Sequence, residues 1–98
     1  MNISNDPRVD KTIRALSLKD QAKIVEIVKL FKIYGFFVEE QYLKKLTTGL
    51  WELRANRWRL LFGIIDQEAV IVNVFLKKTQ KTPRKEIELA LKRLKEYQ

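Results

Sequence analysis

Leu50-Trp51-Glu52-Leu53-Arg54, Arg57-Trp58-Arg59-Leu60-Leu61-Phe62-Gly63-Ile64-Ile65 and Ala69-Val70-Ile71-Val72-Asn73-Val74-Phe75-Leu76 decide the fold of this 98-residue chain. The first segment alternates, the second is rich in aromatic and β-branched residues, and the third is a β-branched run, so all three read as strands. Asn56 and Asp66-Gln67-Glu68 are short polar breaks between them. Breaks of that length join antiparallel hairpins, because a crossover to a parallel neighbour needs a dozen or more residues. One curved antiparallel sheet is predicted.

Side chains alternate faces along a strand. Trp51, Leu53, Trp58, Leu60, Phe62, Ile64, Val70, Val72 and Val74 are therefore predicted to share one buried face, covered by helices over 18–34 and 83–97. The opposite face presents Glu52, Arg54, Arg59 and Asn73, with Lys77 following and Lys78 and Lys81 at the rim. Guanidinium groups make bidentate contacts with phosphate oxygens, and lysines add point charge or a transferable proton, so this face suits phosphate chemistry. An antiparallel sheet covered on one side exposes polar residues on the other by default, and an ordinary solvated face with a Glu52–Arg54 charge pair fits the same pattern.

Around the strands lie helical signals. Ser17-Leu18-Lys19-Asp20 has capping-box spacing, which starts a helix at Leu18. Ala22, Ile24, Val25, Ile27, Val28 and Phe31 follow as an apolar stripe, and Gly35 is a natural C-cap. Val9, Ile13 and Leu16 predict a shorter helix before it. Thr82-Pro83 reads as an N-cap followed by proline at the first helical position, with Ile87, Ala90, Leu91 and Leu94 forming the last apolar stripe. The fold class is α+β: two N-terminal helices packed on a curved antiparallel sheet of three to four strands, with a C-terminal helix. No linker or repeat divides the chain, so residues 1–98 form a single domain.

Composition narrows the chemistry. With neither Cys nor His there is no thiolate or imidazole, which excludes the usual zinc sites and the Ser-His and Cys-His hydrolases. The net charge is +8, and residues 77–98 alone carry eight Lys+Arg against three Asp+Glu. An excess of that kind favours a polyanionic partner, although lysines that merely keep a small domain soluble would leave the same trace. No segment has the length or pattern of a membrane span or secretory signal, so a cytoplasmic protein with no membrane contact is expected.

The strings Gly49-Leu50-Trp51-Glu52-Leu53-Arg54, Arg57-Trp58-Arg59-Leu60-Leu61-Phe62 and Phe75-Leu76-Lys77-Lys78-Thr79-Gln80-Lys81-Thr82-Pro83, then Glu86, Ile87 and Ala90, resemble the phage-derived HigB-like branch of the RelE toxin superfamily. The resemblance runs from about Leu16 to the C-terminus. It implies a RelE-like fold and the toxin of a type II toxin–antitoxin system, a metal-independent endoribonuclease with no cofactor that cleaves mRNA on the ribosome. It also implies that the RNA 2′-hydroxyl attacks the adjacent phosphate in line while arginines and lysines hold that phosphate. Carried over by position, Arg59, Arg54 and Lys78 are the candidate phosphate contacts. Lys77, Lys81, Arg57, Arg84 and Lys85 are the candidate RNA-binding cations around them.

Two departures from the superfamily pattern stand out. Relatives often carry His or Tyr where this chain reads Thr82-Pro83-Arg84-Lys85, and lysines near the position of Glu52. Glu52, or a lysine whose pKa is lowered by cationic neighbours, is left as candidate general base, with Tyr97 too far along the helix. Relatives also open with a full strand, whereas only Asn2 to Ser4 precede Asp6-Pro7 here, so the first strand is short or the sheet is one strand smaller. The implied partners are mRNA and the ribosome, together with an acidic, partly disordered antitoxin from a neighbouring gene, a helix-turn-helix protein through which alone operator DNA is contacted. Two alternatives stay open: a non-catalytic ParE-like gyrase inhibitor, and an inactive relative that keeps only antitoxin and operator contacts.

Overall fold

Local capping sets the helix boundaries. In a computed structural model describing residues 1–98, Ser17 Oγ accepts from the Asp20 amide at 3.1 Å, opening helix α2 (Leu18–Tyr34), and Gly35 closes it at φ 57°. Helix α1 (Pro7–Arg14) starts on Asp6, whose carboxylate accepts from the Arg8 amide, with proline at the first helical position where its missing N–H is not needed. Helix α3 spans Arg84–Lys95. Its N-cap is Pro83, with no side-chain cap. The predicted role of Thr82 as N-cap is therefore corrected, because its hydroxyl is engaged elsewhere.

Five strands form one sheet: β1 (Asn2–Asn5), β2 (Leu43–Thr47), β3 (Leu50–Ala55), β4 (Trp58–Ile65) and β5 (Glu68–Leu76), in the order β1-β5-β4-β3-β2. The β3-β4-β5 meander is the predicted one, turning at Asn56 (φ 57°) and at Asp66-Gln67 (φ 50° and 67°). The sheet has more strands than the three to four expected, and it is mixed, because β1 runs parallel to β5. Both additions are edge strands with weak sequence signals. Strand β1 is only four residues long, and β2 carries Lys44-Lys45 and a register shift between Lys45 and Thr47 that breaks the alternation.

A second bulge rearranges the core. Leu61 pairs with Asn73 but Phe62 pairs with Ile71, so Val72 is the extra residue and every side chain before it changes face. Ala69 and Ile71, rather than Val70 and Val72, join Leu53, Leu60, Phe62 and Val74 beneath Val9 of α1 and Ile24, Ile27 and Phe31 of α2. Val70 and Val72 pack instead with Leu50, Leu61, Ala90 and Leu94 under α3. The predicted arrangement, with α2 and α3 on one face, is corrected: they lie on opposite faces. Arg93 of α3 donates from Nη1 to the Val72 carbonyl at 2.8 Å, supplying the bulge with a partner. Gly63 lets α3 approach, since a Cβ there would lie 2.7 Å from Leu94 Cδ1 and 3.0 Å from the Gly49 carbonyl oxygen.

The stripe on α2 is narrower than its sequence suggests. Ile24, Ile27 and Phe31 are buried, whereas Ala22 and Val25 are exposed. Phe31 packs 4.8 Å from Phe62 and edge-on to Phe36 at 5.7 Å. Truncation of such a residue costs about 3–5 kcal/mol. No helix is long and apolar enough to cross a membrane.

Candidate functional site

Helix α3 covers only part of its face of the sheet. Where its apolar cover stops, that face continues as Glu52 and Arg54 on β3, Arg59 on β4 and Lys77 just beyond β5. Lys44 on β2 pairs with Glu52 in the ladder and so projects to the same face. Five charged residues from four consecutive segments of the sheet therefore share one surface.

Glu52 is the centre of this surface and is fully buried. Its Oε1 accepts from Thr82 Oγ1 at 2.5 Å, and its Oε2 accepts from Arg54 Nε at 3.1 Å, with Arg59 Nε at 3.9 Å. A carboxylate with both oxygens engaged and no contact with solvent holds its partners in place. Arg59 donates from Nη1 to the carbonyls of Asn56 at 2.6 Å and Trp58 at 3.0 Å, and its buried Nε has no hydrogen-bond acceptor. Burial lowers the guanidinium pKa, Glu52 opposes that shift and Arg54 adds to it. The group remains a cation, because an arginine is not deprotonated in a protein.

Lys77 titrates below the ordinary lysine range. Burial is the largest cause, the positive charge of Arg59 comes next, Glu52 opposes both, and Arg54 and Lys44 add to the depression. Its amide donates to the Arg57 carbonyl at 2.8 Å, which ties the loop after β5 to the β3–β4 turn. Arg57, Arg59, Lys77, Lys78, Thr79 and Gln80 line an open cavity of about 270 Å³ with no apolar side chain in its wall.

The remaining sequence candidates are spread more widely. Lys78 lines the cavity, and Lys81 is exposed on the same loop, where its carbonyl accepts from Thr79 Oγ1. Lys85 faces a neighbouring hollow with Lys78, Thr79 and Glu86. Arg84 lies out on α3, paired with Glu88 at 3.1 Å and largely exposed, away from the cluster. Sequence reading missed Thr82 and Lys44. Thr82-Pro83 mimics a helix start, and Lys44 belongs to an edge strand with no clear period.

The phage-derived protein Gp49-like (DUF891) family matches residues 11–95. The chain belongs to this family. The Gp49-like protein is similar in structure to a chain of the archaeal RelE-RelB complex from Pyrococcus horikoshii OT3, with a TM-score of 0.67 and 18% identity over 79% of this chain and 94% of that one. It is also similar to the isolated Escherichia coli RelE toxin, with a TM-score of 0.56 and 20% identity over 95% and 97% of the two chains. A chain of the heterotetrameric YoeB-YefM toxin-antitoxin complex from Staphylococcus aureus gives a TM-score of 0.59 and 26% identity over 81% and 97%. No curated protein matches the sequence. The Gp49-like fold is thus RelE-like, as the sequence resemblance implied, built here on five strands.

Chemically, the surface offers one guanidinium group hydrogen-bonded to a buried carboxylate, a second anchored on backbone carbonyls beside it, a lysine displaced toward its neutral form and a further lysine at the cavity wall. Anchored guanidinium groups bind and stabilise a phosphate that gains charge, and a neutral amine accepts a proton.

Proposed function

We propose that this Gp49-like protein is the toxin of a toxin–antitoxin pair and a metal-independent endoribonuclease acting on mRNA at the ribosome. The observation that carries the proposal is the cluster around buried Glu52, in which a hydrogen bond to the carboxylate fixes Arg54 and backbone carbonyls fix Arg59, beside Lys77 on the part of the face that α3 leaves uncovered. Preorganised charge of this kind lowers the barrier to forming a dianionic phosphorane. In the proposed reaction Lys77, neutral, removes the proton from a ribose 2′-hydroxyl. The 2′-oxygen then attacks the adjacent phosphorus, Arg54 and Arg59 bind the non-bridging oxygens, and the P–O5′ bond breaks. Lys78 gives a proton to the departing 5′-oxygen, leaving a 2′,3′-cyclic phosphate and a 5′-hydroxyl. Glu52 acts as a positioning residue, since burial keeps it from the substrate. Arg57, Lys81 and Lys85 supply charge along the RNA backbone.

The same basic face is the surface an antitoxin must neutralise. An acidic segment that folds on binding would cover it, as suits a protein similar to chains of the RelE-RelB and YoeB-YefM complexes. Operator DNA is contacted only through that antitoxin, and the protein acts in the cytoplasm.

Arg59→Ala tests the reading. Induced expression of the parent should arrest growth and cut message with 2′,3′-cyclic phosphate ends, and the variant should do neither. A variant as toxic as the parent overturns the assignment of the site, and intact message accompanied by DNA damage replaces it with a gyrase-type target.

A further inference from the structure

Arg59 lies between two polar cavities of different character. The first, lined by Arg57, Arg59, Lys77, Lys78, Thr79 and Gln80, presents four cations, a hydroxyl and an amide, with no ring. The second, about 370 Å³, lies on the other side of Arg59 and is lined by Lys23, Gln41, Tyr42, Arg54, Asn56 and Arg59. It contains what the first lacks, an aromatic ring, together with two neutral amide side chains.

The ring is held firmly. The Tyr42 carbonyl accepts from the Arg54 amide at 2.8 Å, continuing the β2–β3 ladder by one residue, and the half-buried side chain packs against the apolar core beneath α2. Gln41 Nε2 donates to Glu39 Oε2 at 2.7 Å, which orients the amide while leaving its oxygen free to accept. Asn56 is exposed at the tip of the β3–β4 turn, with its carbonyl taken by Arg59. A rigid aromatic face, amides that both donate and accept, and a bordering ammonium group are the elements that bind an unstacked base and its backbone.

Resting on the reading of Arg59 as a phosphate contact, we infer that the Lys23–Gln41–Tyr42–Asn56 cavity is a nucleobase subsite for the nucleotide next to the phosphate bound by Arg59. Tyr42 stacks on the base, Gln41 and Asn56 meet its hydrogen-bonding edge, and Lys23 faces the following phosphate. Single-stranded RNA is the ligand, because a base paired in a duplex cannot enter. Base preference at that one position is set here, whereas the cation-lined cavity on the other side of Arg59 holds backbone without discrimination.

The test is a double-mutant cycle on binding, read by fluorescence anisotropy with a short single-stranded oligoribonucleotide made uncleavable by a 2′-deoxy substitution at one position. Abasic sites are placed in turn on either side of that position. The parent should lose about tenfold in affinity when the abasic site falls on the subsite side, as expected for one lost base stack. Tyr42→Leu should lose nothing further from that abasic site, Tyr42→Phe should behave as the parent, and the exposed Gln41→Ala should narrow the difference among the four bases. An abasic penalty equal in Tyr42→Leu and the parent overturns the subsite while leaving the phosphate reading intact, provided Arg59→Ala weakens every oligonucleotide. Binding indifferent to Arg59→Ala, or displaced from the parent only by an acidic peptide and never by RNA, overturns both.

Discussion

Thr82, one residue before the cap of α3, donates a 2.5 Å hydrogen bond to the buried carboxylate of Glu52 on β3. This contact joins the Lys77–Pro83 loop to the two arginines through a single carboxylate, so the loop and the guanidinium groups are positioned together. Thr82→Val leaves Glu52 Oε1 buried without a donor, a loss of about 1–3 kcal/mol. Thr82→Ser keeps the hydroxyl and should stay close to the parent. Urea denaturation together with RNA cleavage measures both, and a valine variant as stable and active as the parent would sink the positioning role.

Glu52 and Lys77 have separable roles, the first positioning and the second proton transfer. Activity should rise with pH as Lys77 deprotonates and level off below the ordinary lysine range, because burial and the Arg59 charge depress its pKa. Lys77→Arg should remove that limb. Glu52→Gln should lower the rate about 10- to 100-fold through misplaced arginines yet retain the limb, whereas loss of the limb in this variant would make Glu52 the base. Stability carries the same linkage. A lysine whose folded pKa lies below its unfolded value contributes stability present above the unfolded pKa and lost as pH falls through the folded one. Lys77→Gln should therefore raise the melting temperature at neutral pH while lowering activity.

Asp6 ties both ends of the chain together away from the site. Its carboxylate accepts from Arg8 Nε at 2.9 Å, Arg8 Nη2 at 2.7 Å and Tyr97 hydroxyl at 2.7 Å, and Arg8 reaches Glu96 at 3.0 Å. The Arg8 hydrogen bonds are the main cause that holds the Asp6 carboxyl far below the usual carboxylate range, with burial opposing and Tyr97 helping. A depressed carboxyl contributes stability above its unfolded pKa that is lost as pH falls toward the folded value. Asp6→Asn should cost about 1.5–3 kcal/mol at pH 7, and its melting temperature should fall less steeply than the parent's below about pH 4. Parallel acid profiles for the two proteins would contradict this linkage.

Gly63→Ala tests whether α3 seats as closely as described. The added methyl would meet Leu94 Cδ1 at 2.7 Å and the Gly49 carbonyl at 3.0 Å, so the Leu94 side chain must rearrange or the helix shift, at a cost of about 1–3 kcal/mol. Chemical denaturation gives the stability, and near-ultraviolet circular dichroism reports any repacking. An unchanged midpoint would mean that α3 sits farther out.

Local patterns determined the parts of the protein that depend on neighbours in sequence. The Ser17 cap, the Gly35 stop, the three central strands and the convergence of Glu52, Arg54, Arg59 and Lys77 on one face follow from capping chemistry and alternation. The RelE-like architecture was equally legible from the strings around Trp51, Trp58 and Lys77. Tertiary structure alone decided the rest. Helix α3 lies on the face opposite α2, and a bulge at Val72 turns Val70 and Val72 toward it, because one extra residue inverts every side chain before it and no propensity announces it. The packing of the loop before α3 against the sheet makes Thr82 the partner of Glu52 rather than a helix cap, since a hydroxyl takes whichever acceptor the fold brings within reach. Strand β1 pairs in parallel with β5 across most of the chain length, a contact that no local window contains.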